Sequence, residues 1–118
     1  MEKERQIIFF EKHFQQFYLK LNGGVRRKIG YVFRIIRTVD KVPIKFLRHL
    51  MDGLFEIRIE YESNIYRVFC CFDTGNLVVL FNGYQKKTQK ADKGQVQKAM
   101  KLKQKYFDKK NKDDDQKR

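Results

Sequence analysis

Five cations, Arg58, Arg67, Lys86, Lys87 and Lys90, stand in and just after a run of predicted strands. Such a cluster can do chemistry on RNA. A 2′-hydroxyl attacks its adjacent phosphate, and the pentacoordinate state gathers negative charge. Fixed guanidinium and ammonium groups aimed at that charge stabilise it more than they stabilise the ground state. Crowded lysines also lower each other's pKa, which suits one of them to proton transfer. A plain RNA-binding surface has the same composition. Arg67 sits mid-strand between Tyr66 and Val68, and a guanidinium is costly to bury unpaired. It must face water, an anionic ligand, or a cross-strand carboxylate such as Glu56 or Glu60. Pairing and anion binding compete on equal terms for Arg67 alone, and the lysines after the last strand tilt the balance towards an anion.

Other chemistries leave no trace. The chain has no GxSxG elbow, no GxxxxGK[ST] loop and no HExxH pair. Paired carboxylates for sugar hydrolysis are not evident. Cys70 and Cys71 are adjacent in a predicted strand, so they point to opposite faces and are poorly placed to bond each other. With no CxxC and no second ligand group, a zinc site is not expected, and no cofactor is implied. Of the two histidines, His13 reads as a surface or boundary residue. His49, with Lys45 and Arg48, belongs to a segment that could lie beside the sheet's open face.

The positioning elements follow from periodicity. Phe55, Ile57, Ile59 and Tyr61 alternate with Glu56, Arg58 and Glu60, the period of a half-buried strand. Ile65 to Phe72 forms a second strand, a turn at Asp73-Thr74-Gly75-Asn76 follows, and Leu77 to Phe81 forms a third that Asn82-Gly83 ends. Connections this short predict an antiparallel meander. Upstream, Gln6 to Phe10 reads as an edge or parallel strand. An apolar stripe from Phe10 to Leu21 predicts one helix, stopped at Asn22-Gly23-Gly24, and a second stripe from Val25 to Ile36 predicts another. These two form a hairpin over one face of the sheet. Lys41 to Gly53 reads as a connecting segment. Lys93 to Lys110 predicts a third helix, with Val96, Ala99, Met100, Tyr106 and Phe107 on one side. The expected fold class is α+β: a small antiparallel sheet, made of a three-strand meander plus an N-terminal strand, packed on an N-terminal helical hairpin, with a C-terminal helix. Residues 1–110 make one domain, and the apolar-free segment 111–118 reads as a disordered charged tail.

A net charge of +13 in 118 residues predicts affinity for a polyanion, nucleic acid before membrane. The charge is concentrated late, with thirteen Lys/Arg against five Asp from position 85 onward. No run reaches the ~20 apolar residues of a membrane span. The charged start MEKERQ is not a signal peptide, so a cytoplasmic location is expected.

The succession GLFEIRI at 53–59, YRVF at 66–69 and NLVVLFNGYQKKTQKA at 76–91 resembles the RelE superfamily of bacterial toxins, in particular its HigB-type, phage-derived branch. The resemblance spans Gln6 to Phe107. It implies an α+β microdomain, a growth-inhibiting toxin that cuts mRNA in the ribosomal decoding site without a metal, and a cognate antitoxin, often of helix-turn-helix type. By resemblance, Arg58 and Arg67 take catalytic positions, Arg67 matching the arginine that contacts the scissile phosphate. Lys87 joins them, with Lys86, Lys90, Arg48 and His49 as substrate-binding candidates. The last segment, AMKLKQKY, has no clear counterpart of the catalytic tyrosine of some members, and Glu56 stands where some carry lysine. Tyr84 reads as a packing aromatic. Two other classes fit the same composition: a non-catalytic nucleic-acid or ribosome-binding module, and a gyrase-poisoning toxin of the ParE type.

Overall fold

The computed structural model describes residues 4–88 and 92–116. Its elements are β1 (Gln6–Phe9), α1 (His13–Leu19), α2 (Gly23–Thr38), β2 (Leu47–Met51), β3 (Leu54–Tyr61), β4 (Asn64–Asp73), β5 (Leu77–Lys86) and α3 (Lys93–Gln116). The class is α+β, as expected, and β3-β4-β5 form the expected antiparallel meander. The sheet itself is larger than expected and mixed, in the order β1-β5-β4-β3-β2. β1 lies parallel to β5 at one edge, and β2 pairs antiparallel with β3 at the other.

β2 comes from the segment read as a connection. Its sequence, LRHLM, is short and its apolar alternation is interrupted by a register shift between His49 and Met51. Pairing with β3, rather than local pattern, makes it a strand. The helices also differ at their ends. α1 is shorter than its apolar stripe. α2 begins at Gly23, because the Asn22 side chain accepts from the Val25 N–H at 3.0 Å and caps the helix. Gly24 has no room for a side chain, since a Cβ would sit 2.2 Å from the Tyr61 hydroxyl. At the other end of α2, the Arg5 guanidinium donates to the carbonyls of Ile36, Val39 and Asp40 at 2.7–2.8 Å. That contact ties the segment before β1 to the helix. α3 continues past Lys110 to Gln116, through most of the segment read as a tail.

The two sheet faces carry separate cores. Val25, Ile29, Val32 and Ile36 of α2 and Phe14 of α1 pack on Ile57, Ile59, Tyr66, Val68, Cys70, Val78 and Leu80. On the other face, Ala99 and Leu102 of α3 pack on Leu54, Phe69, Cys71, Val79 and Phe81. Tyr106 and Lys110 then anchor α3 to the end of β4. The Tyr106 hydroxyl donates to Asp73 Oδ2 at 2.6 Å, and Lys110 Nζ to Asp73 Oδ1 at 2.7 Å.

Cys70 and Cys71 are free and buried in different cores, as strand parity requires. Burial pushes both thiols up, Cys71 to about 11, so little thiolate exists at neutral pH. The native protein is therefore expected to resist iodoacetamide at pH 7.5, with both thiols alkylated in denaturant at pH 8.5. Mass spectrometry checks this, and rapid native modification of either would contradict their placement.

Candidate functional site

Register brings the two site arginines together. Arg58 of β3 is directly opposite Arg67 of β4, so both side chains leave the sheet on the α3 face. On that face α3 packs on Leu54, Phe69 and Cys71; Arg67 is buried and Arg58 is half-exposed. Like charges in direct opposition repel, so the pair needs a counter-charge. Glu56, two residues before Arg58 on the same face, supplies it.

Arg67 Nη1 donates to Glu56 Oε1 in a buried ion pair, with both side chains only 5–6% exposed. The carboxylate alternative for Arg67 is thus realised. Arg48 of β2, opposite Glu56, reaches the same oxygen from the solvent side at 3.5 Å. Arg58 is 41% exposed and makes only a loose contact with the exposed Glu60, at 3.8 Å. Two guanidinium groups therefore share one buried carboxylate oxygen, with Arg58 beside Arg67 on the same face. The Nε–H groups of Arg58 and Arg67 are both shielded from water with no acceptor. Buried donors without partners are costly and uncommon, and a phosphate oxygen would satisfy them once the side chains shift to admit it. The pair at Glu56 fixes Arg67 without using all its donors, because a guanidinium has five.

The lysines arrive by an irregularity in β5. This strand does not stop at Asn82-Gly83 but runs through them to Lys86. Cys70 faces Leu80 whereas Val68 faces Gly83, so two residues, Phe81 and Asn82, stand opposite Phe69. This β-bulge reverses the parity of the rest of the strand. Tyr84 comes to lie opposite Arg67, and Lys86, two residues on, shares its face. Gly83 then points to α1, where a Cβ would sit 2.6 Å from the Phe17 ring.

Tyr84 stacks on Phe69, with ring centroids 5.8 Å apart, and its phenol makes a hydrogen bond with the Asp92 backbone. Burial raises its pKa, against the pull of that bond and of Arg67. It is a neutral packing residue at physiological pH, as the sequence suggested. Partial desolvation, then the fields of Arg67, Arg58 and Arg48, hold the Lys86 ammonium below its usual value against the opposing charge of Glu56. Lys86 and Lys87 together separate two clefts. One, of about 670 Å³, is lined also by Ser63, Asn64 and Ile65, and the other, of about 310 Å³, by Tyr84, Asp92 and Gln95.

Some candidates are not brought to this group. His49 is adjacent to Arg48 in β2 and opposite Phe55, so it points to the other side of the sheet. There its ring packs on Phe55 at 5.1 Å and its Nε2 accepts from the Gly53 N–H at 3.3 Å. It was expected among the substrate-binding residues, and the register places it on the sheet face opposite Arg58 and Arg67. Lys90 lies outside the described residues. Tyr106 of α3 is bonded to Asp73, which lies six residues beyond Arg67 along β4, about 20 Å at the rise of a strand. Glu56 is the member the sequence reading undervalued, and its place two residues from Arg58 was the available signal. Among the described residues no group of His, Cys, Asp and Glu could hold a metal ion, and no helix is long and apolar enough to cross a membrane.

A family model described as "Phage derived protein Gp49-like" matches residues 16–104, most of the chain and all of β2 to β5. The chain belongs to the Gp49-like family. That family is toxin-like and related to the RelE/HigB-type toxins, and its members typically pair with an antitoxin. The Gp49-like match spans all three stretches that carried the resemblance and every described site residue. No curated protein matches the chain.

Proposed function

We propose that this Gp49-like protein is the toxin of a type II toxin–antitoxin pair and cuts ribosome-bound mRNA as an endoribonuclease. The observation that carries this reading is the side-by-side placement of Arg58 and Arg67, each with a shielded Nε–H that no protein acceptor satisfies. Two guanidinium groups on one face suit the equatorial oxygens of a phosphorane. The nucleophile is the substrate's own 2′-hydroxyl, so the protein's task is to orient the phosphate and neutralise developing charge. Arg67, braced by Glu56, and Arg58 hold the phosphate. Arg48 and Lys86, both on the face of Arg67, hold the flanking backbone, and Lys87 beside Lys86 is the group proposed to give or take a proton. The partner is a cognate antitoxin of helix-turn-helix type encoded beside the toxin.

The test is primer extension on mRNA in a translating bacterial extract given the purified protein. Cuts that require ribosomes and leave 2′,3′-cyclic or 3′-phosphate ends are expected. Salt-sensitive RNA binding without cuts would instead establish a non-catalytic ribosome-binding module. The internal use of Arg67 by Glu56 is the observation that favours this second reading. A DNA-damage response with intact mRNA would place the protein with the gyrase poisons.

A further inference from the structure

The cationic face depends on one residue that carries no charge. Asn82 is 2% exposed and sits in the β5 bulge. Its Nδ2 donates to the Gln95 carbonyl at 3.1 Å and to Gln95 Oε1 at 2.9 Å, both in the first turn of α3. The next residue, Gly83, is pressed against the Phe17 ring of α1 from the opposite side. The extra residue in β5 is thus gripped from both faces of the sheet. In a regular ladder continued from Cys70 opposite Leu80, residues 83 and 85 would share the face of Arg67. Those residues are Gly and Gln, and Tyr84 and Lys86 would turn towards α1.

We infer that Asn82, through its bond to Gln95, is a positioning residue for the proposed phosphate site. It holds the bulge that delivers Tyr84 and Lys86 to the face of Arg58 and Arg67. A bulge costs ladder hydrogen bonds, and a buried amide must be satisfied or it destabilises the strand that carries it. The Asn82 Oδ1 is buried without a partner, so the two Nδ2 bonds to Gln95 are what anchor this amide among the described residues, and the bulge is held by the first turn of α3. The consequence for catalysis rests on the endoribonuclease reading; the consequence for geometry does not.

The experiment uses the full chain labelled at lysine and follows the Lys86 Nζ titration by NMR, alongside mRNA cleavage. In Asn82→Ala, Lys86 leaves the three guanidiniums, so its titration is expected to rise to that of an exposed lysine. Cleavage is expected to fall at least tenfold in kcat with far-UV circular dichroism unchanged. Should Asn82→Ala not fold, Gln95→Ala, which removes the side-chain acceptor alone, is read in the same way. An unchanged Lys86 titration in a folded variant overturns the inference, as does a shifted titration with undiminished cleavage. If the wild type cuts no RNA, the titration still decides the positioning role, and only the endoribonuclease reading falls.

Discussion

Replacing Arg67 with alanine is expected to abolish growth inhibition and, at the same time, to lower stability by about 3–5 kcal/mol, the usual cost of stranding one partner of a buried ion pair. Glu56 would keep only Arg48, which reaches it from solvent at 3.5 Å. Loss of toxicity in this single variant therefore cannot be read as chemistry alone. The double variant Arg67→Ala/Glu56→Gln separates the two effects. It removes the stranded carboxylate, so most of the lost melting temperature should return, while toxicity and mRNA cleavage should not. Thermal melts and an inducible-growth assay check both. Toxicity that survives in either variant would remove Arg67 from the site.

Arg58→Ala is expected to behave oppositely. Arg58 is partly exposed and only loosely paired, so its removal should change stability by no more than about 0.5 kcal/mol. It also relieves the repulsion across the Arg58–Arg67 pair. Yet the loss of one preorganised donor to a developing oxyanion typically slows the chemical step by about 10²–10³. Single-turnover cleavage should fall by that order with an unchanged melting curve. A variant that melts early but cuts at the wild-type rate would reverse the assignment. The contrast between the two arginines comes from burial: the buried guanidinium at position 67 braces the fold as well as the proposed site, and the half-exposed one at position 58 serves the proposed site alone.

The meander was legible because its strands alternate cleanly and its turns are marked by polar residues and glycine. β2 was not, because five residues with a register shift give too little periodicity, and its partner strand decides its structure. Asn82-Gly83 misled for a specific reason. The pair is a common hairpin turn, but here α3 and α1 grip it and the strand continues. The site was legible in its cations and not in its geometry. Strand parity allows only one of Arg48 and His49 to face Arg67, and the sequence alone does not say which edge register applies. Glu56 was visible only as a possible partner, because whether a carboxylate pairs with Arg67 depends on which residues lie opposite, and that is fixed by pairing between strands.

The first strand of the chain is the mate of the last. Gln6–Phe9 lies alongside Leu77–Phe81, with the whole meander made in between. A ribosome producing this protein therefore releases β1 long before anything exists for it to pair with. Non-local pairing of this kind closes late and slowly. Lys86 and the bulge come with that same final strand, and α3, which stabilises them, is made after it. The nascent polypeptide thus holds Arg48, Glu56, Arg58 and Arg67 on β2 to β4 before β5 and α3 add Lys86 and the bulge that places it.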